Sequence, residues 1–560
     1  MEPIPYRIRI GVTGHRKGLP DPDVLDRLIK HALGWDAWSN GKRVLPDSVF
    51  GLFDEETLKA LHSLRSTPIR FSIHTSLAEG ADRAVAKVIC ATEGGWLQAV
   101  LPFEAQVYEQ TFGNPEAITE FRSMLALDPT PRIIAAPPTS REERHAAYFD
   151  AGKEVVKECE VLIAVWNGEA AAGKGGTAEV VEHARSIKRP ILIIRTDGTP
   201  RLEVERGEGL SCTGLMRHDR FNAEPVDIKE LSEAKQKQIG TDGSSDPIAG
   251  PEVLQAMDDL FWPMRARASA FAARCKDTYE WTGAMVYTLS ACAVLAVVLA
   301  TLIGPLHIIG YIVDLIMLLG ILLVIGIARR SRTHQRWLQH RYLAERCRTA
   351  VYFFLFGIRP SITRPIGSLK EGVDDAWVVR LFEEVSRTVL RAAQTGDGQE
   401  DGAWLKSVKQ LIDERLLDGQ IDFHKRTGKK NSRKSNRLEH LGQAAFYLAV
   451  ILAVGHIWAG FALPDGLLAD LTNGTLTVFA ILLPVVAGAF EGVRKQREYG
   501  RTARVNKRMV AELSILKVEL ASVQDVTGLR NALLKIDRTL MRESEEWLGL
   551  LVDNDVELMP

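Results

Sequence analysis

Four long apolar runs, arranged as two pairs, constrain this chain more than any other feature of its sequence. The first pair is Thr282–Ile303, which contains no charged residue, and Ile308–Ile327, whose only charged residue is Asp314. The second pair is Leu441–Leu463 and Thr475–Phe490. About 20 apolar residues in a helix cross the hydrocarbon core of a bilayer. A buried core helix would account for any one such run, but four runs in two hairpins predict four membrane spans.

The distribution of basic residues predicts how these spans are oriented. The short connections Gly304–His307 and Pro464–Gly474 contain no Lys or Arg, whereas basic clusters lie at Arg329–Arg332, Lys429–Lys434 and Arg494–Lys495. Cytoplasmic segments of membrane proteins carry the excess of Lys and Arg. Both termini and the long central segment are therefore expected on the cytoplasmic side, with the lipid bilayer as a partner of the chain.

Three residues inside the spans are candidates for a pore or a gate. Asp314 and His456 are polar groups in apolar runs, and such groups usually face a bundle interior or water. Pro484 removes one helical hydrogen bond and predicts a kink in the fourth span. We expect these three residues to be concerned with pore formation or gating.

The first 198 residues have a different pattern, in which short apolar segments alternate with amphipathic helical stretches. This alternation predicts an α/β fold, a Rossmann-like parallel sheet with helices on both faces. In such a sheet, ligands bind beyond the carboxyl ends of the strands. The predicted strands are Arg7–Val12, Ile69–His74, Leu97–Leu101, Arg132–Ala136, Val161–Val165 and Ile191–Arg195.

The segment Val161–Arg185 combines a buried strand, a glycine loop and the start of a helix. Small residues fill the loop, and Thr177 opens the helix. Backbone N–H groups and the positive end of a helix dipole then point at one place, which favours a phosphate. The alternative is a structural turn with glycines for chain reversal only. The candidate cradle residues are Gly173, Lys174, Gly175, Gly176, Thr177 and Glu179.

Further candidate nucleotide-binding residues follow three of the predicted strands. Arg16 is a candidate for a bidentate contact with phosphate, and Trp166 for stacking on a base. The alternatives are a surface ion pair for Arg16, a turn residue for His15 and a lid on the core for Trp166. The candidates at these strand ends are Gly11, Thr13, Gly14, His15, Arg16, Ser76, Glu79, Gly80, Asp82, Trp166 and Asn167.

Composition excludes several classes of function. The chain has 70 Lys and Arg residues against 71 Asp and Glu residues, which argues against a general nucleic-acid binder. Its 6 cysteines are scattered without a Cys-x-x-Cys pair, which fits a reducing compartment and predicts no metal site. No cofactor is expected, and the predicted ligand is a nucleotide messenger.

A polar connector is predicted between the two halves. Thr199–Pro263 contains glycine and serine clusters, and Leu254–Arg274 is expected to be helical and to lead towards the first span. Arg265, Arg267 and Arg274 give this helix a basic face. Such a face suits either an anionic membrane surface or water.

The motifs GVTGHR, SLAEGADR and GKGGTAE, each after a predicted strand, resemble those of the SLOG superfamily. This superfamily contains Rossmann-like domains related to Lonely Guy phosphoribohydrolases and to DprA-type DNA-processing proteins. The resemblance covers residues 1–198 and implies a nucleotide-binding domain. Lonely Guy enzymes carry a PGG-x-GT-x-x-E pattern, whose glycines and threonine bind phosphate and whose glutamate acts on the ribosyl bond.

This chain departs from that pattern where catalysis depends on it. Ala172 replaces the proline, Lys174 replaces the second glycine, and Val180 stands where the glutamate is expected. Glu179 is one residue short and points about 100° away on a helix. The resemblance therefore predicts a domain that binds a nucleotide without consuming it, with no catalytic residue.

The second half resembles two copies of SLATT, a two-transmembrane effector domain that accompanies SLOG domains in bacterial conflict systems. Each hairpin is followed by a charged helix with an R-x-x-A-E motif, at Arg341–Glu345 and Arg508–Glu512. The shared motif suggests an internal duplication. The predicted units are residues 264–435 and 436–560, after a SLOG-like domain at 1–198 and a connector at 199–263. Their terminal helices are expected to pack between subunits of a homo-oligomer.

Together these features predict a membrane effector in the bacterial inner membrane. A nucleotide-derived signal, of the ADP-ribose type and made by a partner enzyme, would bind the first domain. Binding would trigger pore formation or membrane disruption in antiviral defence. The main alternative is a membrane-anchored nucleotide phosphoribohydrolase or N-glycosidase, with Glu79, Asp82 and Glu179 as possible acids. A transporter with a regulatory domain is a third possibility, but the spans contain few polar groups.

Overall fold

A computed structural model shows two compact units. One comprises Glu2–Glu224 and Val379–Glu384, and the other comprises Pro225–Val378 and Val385–Pro560 together with Met1. We call them the first and the second unit. The structure describes residues 3–33, 67–92, 94–128, 131–169, 175–208, 213–240, 249–302, 307–331, 333–358, 360, 376–394, 402–462 and 467–553.

The first unit is built on a seven-stranded sheet, with the strands in the order β4-β3-β2-β1-β5-β6-β7. The strands are β1 (Tyr6–Gly14), β2 (Ile69–Thr75), β3 (Trp96–Leu101), β4 (Arg132–Ile133), β5 (Val161–Trp166), β6 (Ile191–Arg195) and β7 (Arg201–Glu205). All neighbouring pairs are parallel except β6 and β7. The predicted Rossmann-like α/β fold is confirmed. The antiparallel strand β7 was not predicted, because its alternating charged residues fell in the polar connector.

Continuous apolar strands form because both faces of the sheet are covered. In β5, Val161, Ile163 and Val165 belong to one hydrophobic cluster, whereas Leu162 and Ala164 belong to another. Successive side chains of a strand point to opposite faces, so the two clusters lie on the two sides of the sheet. The helices of this unit are α1 (Pro22–Ala32), α2 (Ala81–Cys90), α3 (Ala105–Glu109), α4 (Pro115–Leu125), α5 (Arg141–Glu158), α6 (Thr177–Ser186) and α7 (Thr213–Ala223).

The second unit is helical in all its described parts. Its helices are α8 (Ile228–Ile239), α9 (Pro251–Ala256), α10 (Trp262–Leu302), α11 (His307–Ser331), α12 (Thr333–Leu355), α13 (Ala376–Gln394), α14 (Gly402–Leu411), α15 (Gly419–Ala462), α16 (Leu467–Gln496), α17 (Tyr499–Ala521) and α18 (Val526–Asp553). Short π-helical turns join α9 to α10 at Met257–Phe261 and α14 to α15 at Ile412–Asp418. Helix α13 is shared, because its residues 379–384 belong to the first unit.

The four apolar runs lie on long helices and are exposed. Each of these helices contains an apolar stretch of 18 residues. In the helix that contains α10, 28% of this stretch is buried, and in the helix that contains α15 the share is 6%. The share is 0% in the helices that contain α11 and α16. A soluble core would bury such residues, so the four helices are suited to lipid. The helix Pro251–Ala300 has 50 residues and a length of about 75 Å, more than twice the hydrocarbon thickness. Residues 303–306 and 463–466, which include the last residues of two predicted spans, lie outside the described part.

The two R-x-x-A-E motifs have the same local structure. Arg341 Nε lies 4.0 Å from Glu345 Oε1 on α12, and Arg508 Nε lies 3.8 Å from Glu512 Oε1 on α17. Both pairs join residues four apart on a helix. The equivalence agrees with a duplication of the hairpin and its following helix.

The predicted pore and gating residues occupy the expected helices. Asp314 on α11 and His456 on α15 are half-buried, and Pro484 is exposed inside α16, which continues past it. Their roles remain predictions.

Close packing within the first hairpin gives a test of its structure. A Cβ on Gly310 would lie 2.1 Å from the Cβ of Ala300 and 2.9 Å from the carbonyl oxygen of Ala296. We expect Gly310→Leu to separate α10 from α11 and to lower the thermal midpoint of the purified protein, since small residues allow such approach. Gly326→Leu on the same helix is the control, because nothing lies within 4 Å of its added Cβ. Equal midpoints for the two variants would contradict this packing.

Candidate functional site

The predicted binding residues meet where the strand order reverses. From β1 the chain adds β2, β3 and β4 on one side, and β5, β6 and β7 lie on the other. The crevice between the carboxyl ends of β1 and β5 is thus the topological switch point, the usual ligand site of open parallel sheets. Gly14 at the end of β1 pairs in register with Val165 near the end of β5.

A side-chain contact joins the two strand ends. Nε2 of His15 lies 2.9 Å from Oδ1 of Asn167 and 3.3 Å from its backbone nitrogen. The backbone N–H of His15 also donates to the carbonyl oxygen of Val165 at 3.1 Å. These two candidates, which are 152 positions apart in the sequence, therefore frame the mouth of the crevice.

Glycines let the loop after β2 pack directly on the loop after β1. A Cβ on Gly80, whose φ is +93°, would lie 2.5 Å from the Cα of Arg16. A Cβ on Gly14 would lie 2.3 Å from the Cβ of Ala81 and 2.8 Å from the carbonyl oxygen of Val165. The N–H of Ala81 donates to the carbonyl oxygen of His15 at 3.0 Å. Backbone packing therefore requires both glycines and brings a third loop to the site.

Helix α6 begins at the site with free backbone donors. Its N-cap is Gly176, which supplies no side-chain hydrogen bond. Among the described residues, no partner is found for the backbone N–H groups of Thr177 and Ala178. By contrast, Asp21, Asn114 and Ser140 cap helices α1, α4 and α5. An anion is the natural partner for two such donors at the positive end of a helix.

The glycine loop is described from Gly175 onwards. Gly175 has φ of +85°, and a Cβ there would lie 2.9 Å from the carbonyl oxygen of His145 and 3.2 Å from the Cβ of Tyr148. Its N–H donates to Glu179 Oε2 at 2.5 Å. Glu179 therefore holds the end of the loop. Gly173 and Lys174 lie outside the described residues.

Two other candidates have positions that packing explains. Gly11 lies within β1, where a Cβ would be 2.8 Å from the Sγ of Cys159. The Trp166 side chain is buried, and its indole N–H donates to the carbonyl oxygen of Glu169 at 3.1 Å. This burial agrees with the alternative of a lid on the core, and stacking of Trp166 on a base stays a prediction.

The remaining candidates surround the crevice. Thr13, Ser76 and Thr177 are half-buried at the ends of β1 and β2 and at the start of α6, and Arg16 is exposed. Glu79 accepts a hydrogen bond from the Gly113 N–H at 3.2 Å, which ties its loop to the loop between α3 and α4. Exposed Arg16 is a cation available to an incoming phosphate. Its contact with a ligand remains a prediction.

Asp82 lies beneath the site and holds the loop after β2. Its Oδ2 accepts a hydrogen bond from the Thr75 hydroxyl at 3.1 Å. Burial raises the pKa of Asp82 to about 7, although Thr75, the Ala78 N–H, Arg83 and Arg16 act to lower it. The same burial raises the pKa of Tyr108, and Asp82 and Tyr148 raise it further. Asp82 is thus a structural carboxyl close to Arg16.

The raised pKa of Asp82 predicts a pH dependence of stability. Its usual pKa is 3.8, so its contribution is fully present below that pH and is lost as the pH rises through about 7. We expect the Asp82→Asn variant to lack this loss, which is up to about 4 kcal/mol. The measurement is unfolding of the full-length protein between about pH 4 and pH 8, the range in which the stability is lost, with Asp150→Asn on the exposed surface of α5 as the control. Parallel profiles for wild type and Asp82→Asn would contradict the assignment.

Sequence reasoning missed the part of the site that α5 contributes. Half-buried Tyr148 backs Gly175, and its ring centroid lies 5.8 Å from that of Phe103 and 6.2 Å from that of Tyr108. The sequence carries no signal for the contact between Tyr148 and Gly175. This contact joins one face of α5 to the loop that follows β5, and no local pattern indicates such a pairing. Tyr148 is less buried than Trp166 and lies directly behind the end of the glycine loop.

No family model matches the chain, and no curated protein matches it. Within the described residues, no group of three His, Cys, Asp or Glu side chains is placed to hold a metal ion.

Proposed function

We propose that this chain is a membrane effector whose first unit binds a nucleotide-derived messenger. One observation carries the proposal: beside the β1–β5 switch point, α6 presents two backbone N–H groups that have no partner among the described residues. The donors suit a phosphate, and Arg16 and Tyr148 supply a cation and an aromatic ring nearby. The resemblance to SLOG and SLATT domains adds the role in antiviral defence and the ADP-ribose type of messenger.

Binding without turnover is favoured over hydrolysis. Val180, which stands where the Lonely Guy pattern has its glutamate, is 4% exposed and packs in the core. Glu179 is engaged with Gly175, and Asp82 is buried with Thr75. No carboxylate of the described site therefore combines an open position with the expected register. The hydrolase alternative predicts product from a candidate nucleotide.

Helix α13 is the proposed link to the membrane half. Its residues Val379–Glu384 belong to the first unit, whereas its remaining residues belong to the second. Glu384 forms a bidentate pair with Arg7 at the amino end of β1, the strand whose other end forms the site. A shift of β1 on ligand binding would move this helix and thereby the hairpins. The bilayer would be the bacterial inner membrane with both termini in the cytoplasm, and the effector would be a homo-oligomer.

Binding to the full-length protein in detergent tests the proposal. We expect ADP-ribose or a related nucleotide to bind and to be recovered unchanged. Gly176→Trp should abolish binding, because Gly176 has φ of −87° and ψ of 170°, which tryptophan adopts without strain, while the ring fills the anion position. Gly402→Trp, with nothing within 4 Å of its Cβ, is the control. Turnover would support the hydrolase alternative, and equal binding by both variants would refute the site.

A further inference from the structure

A group of five cations in the second unit has no role in the proposed function. Lys237, Arg265, Arg348, Arg415 and Arg426 come from α8, α10, α12, the π-helical turn Ile412–Asp418 and α15. We call these five residues the cation cluster. They are 189 positions apart at most in the sequence, so the fold and not a local basic run brings them together.

Hydrogen bonds fix the inner part of the cluster around Gln238. Arg265 Nη1 donates to Gln238 Oε1, and Gln238 Nε2 donates to the carbonyl oxygen of Arg348 at 2.8 Å. Arg348 Nη1 donates to Gln420 Oε1 at 3.3 Å. Arg415 Nη2 lies 3.3 Å from where a Cβ on Gly240 would be, two residues after Gln238. Side chains from α10 and from the π-helical turn, together with a backbone carbonyl of α12, therefore meet one short stretch of α8.

The cluster lacks compensating carboxylates in the part of the chain that the structure describes. Arg348 pairs with Glu345 at 2.7 Å, and Glu345 also faces Arg341 at 4.0 Å. The other four cations have no carboxylate within 4 Å among the described residues. Arg265 also donates to the carbonyl oxygen of Ala234 at 3.4 Å and lies over the Trp262 ring, and Arg426 Nε donates to the carbonyl oxygen of Asp422 at 3.2 Å. These neutral partners leave the positive charges uncompensated. Glu230 on α8 and Glu345 interact electrostatically with Arg265, but neither forms an ion pair with it within 4 Å.

The cations repel one another. Burial lowers the pKa of Lys237, and Arg348, Arg426 and Arg265 lower it further. Burial likewise lowers the pKa of Arg265 to about 10, and Arg348 adds to the effect. Uncompensated charges of one sign at a partly buried place are destabilising. An anion would remove that cost and would bind for the same reason.

The depth of the cluster identifies the source of the anion. Arg265 precedes the apolar run at Thr282 on one continuous helix, at a distance of about 25 Å along the axis. Arg426 precedes Leu441 on α15 by about 22 Å. Headgroups extend only about 5–8 Å beyond the hydrocarbon on each side. The cluster is therefore too far from the bilayer for a lipid headgroup.

We propose that the cation cluster binds a soluble anion with several phosphates, of the nucleoside triphosphate class. Lys237, Arg415 and Arg426 are exposed and form its rim, whereas Arg265 and Arg348 are half-buried and form its base. Helices α10 and α15 continue from the cluster into the apolar runs. A bound polyphosphate would hold these helices together at their cytosolic ends and so bias the hairpins independently of the messenger.

The test uses full-length protein in phosphatidylcholine nanodiscs, in the Gly176→Trp background, so that the first unit does not contribute. The probes are ATP and inorganic triphosphate. We expect both to bind and the triple variant Lys237→Gln/Arg415→Gln/Arg426→Gln to lose about tenfold or more in affinity. The control triple Lys229→Gln/Lys406→Gln/Lys430→Gln changes exposed cations on α8, α14 and α15 and should bind as the parent does.

A second readout separates binding from folding. Because the rim cations repel one another, the triple variant Lys237→Gln/Arg415→Gln/Arg426→Gln should have a higher thermal midpoint than its parent when no anion is present. Adding triphosphate should raise the midpoint of the parent but not that of this variant. Absence of triphosphate binding by the parent, or equal affinity of the two triple variants, would overturn the proposal. Displacement of triphosphate by phosphatidylinositol bisphosphate in the nanodisc would overturn the assignment to a soluble anion.

Discussion

Replacing Glu384 by alanine should cost the first unit about 3–5 kcal/mol of its unfolding free energy, because the change leaves a buried arginine unpaired. Arg7 Nε lies 2.6 Å from Glu384 Oε2, and Arg7 Nη2 lies 2.7 Å from Oε1. The side chains are 8% and 6% exposed. The guanidinium also stacks on Trp96 at 3.6 Å and donates to the carbonyl oxygens of Phe71 and Gly94. Removing the carboxylate therefore leaves a buried positive charge that the Trp96 ring and the two carbonyl oxygens still hold in place.

Replacing Glu384 by glutamine should uncouple binding from the membrane. A second contact of α13 remains, in which Arg380 donates to Glu160 Oε1 and to the Tyr6 hydroxyl at 3.0 Å. Burial would raise the pKa of Glu160, but Arg380 and Arg9 hold it below its usual value. We therefore expect the sheet to keep its ligand affinity in Glu384→Gln, which retains the side-chain shape, while ligand-dependent leakage falls.

Two further variants make the result interpretable. Glu383→Ala, the neighbouring residue on α13, should change neither stability nor leakage, since Glu383 is half-buried and outside the pair. Arg7→Met/Glu384→Leu should recover much of the lost stability, because apolar side chains of similar volume often replace a buried pair without loss. A Glu384→Ala variant with wild-type stability and leakage would show that this helix is not the link.

A comparable loss, again about 3–5 kcal/mol, is expected in the second unit when Asp537 is replaced by alanine. Arg346 Nη1 on α12 lies 2.7 Å from Asp537 Oδ1 on α18, and both side chains are 2% exposed. The pair joins the helix after the first hairpin to the last helix of the chain. Its loss should disorganise the bundle from which the hairpins extend, and thermal unfolding in detergent measures it.

The control for this pair lies on the same last helix. Arg542 on α18 is 55% exposed and lies 2.6 Å from Glu512 on α17. Exposed pairs contribute about 0–1 kcal/mol, so Arg542→Ala should have little effect. If Asp537→Ala and Arg542→Ala have the same midpoint, the buried pair does not hold the bundle together.

The sequence predicted the regular elements well, because their patterns are local. Apolar strands such as Ile191–Arg195 were placed within a residue or two, since a strand covered on both faces is apolar throughout. The four spans were identified by length and absence of charge, and their exposure supports that prediction. The charged edge strand Arg201–Glu205 was missed, because only its pairing with β6 makes it a strand.

Contacts between distant segments could not be predicted. Nothing in residues 379–384 indicates that they join the first unit, since their partners Arg7 and Glu160 lie far away in the sequence. The sequence predicted that the basic residues before the first span would face either a membrane surface or water. In the structure, however, Arg267 is buried and Arg265 donates a hydrogen bond to Gln238. The crevice itself was predicted, because strand ends of a parallel sheet lie on one edge.

Dye entry into intact cells tests the central claim most directly. Cells would carry the signal-producing partner together with wild type, Gly176→Trp, Arg16→Ala or the control Gly402→Trp. If messenger capture at the β1–β5 crevice opens the hairpins, wild type and Gly402→Trp admit the dye and the other two variants exclude it. If Gly176→Trp and Arg16→Ala, present at wild-type levels, admit as much dye as wild type, the crevice does not control the membrane.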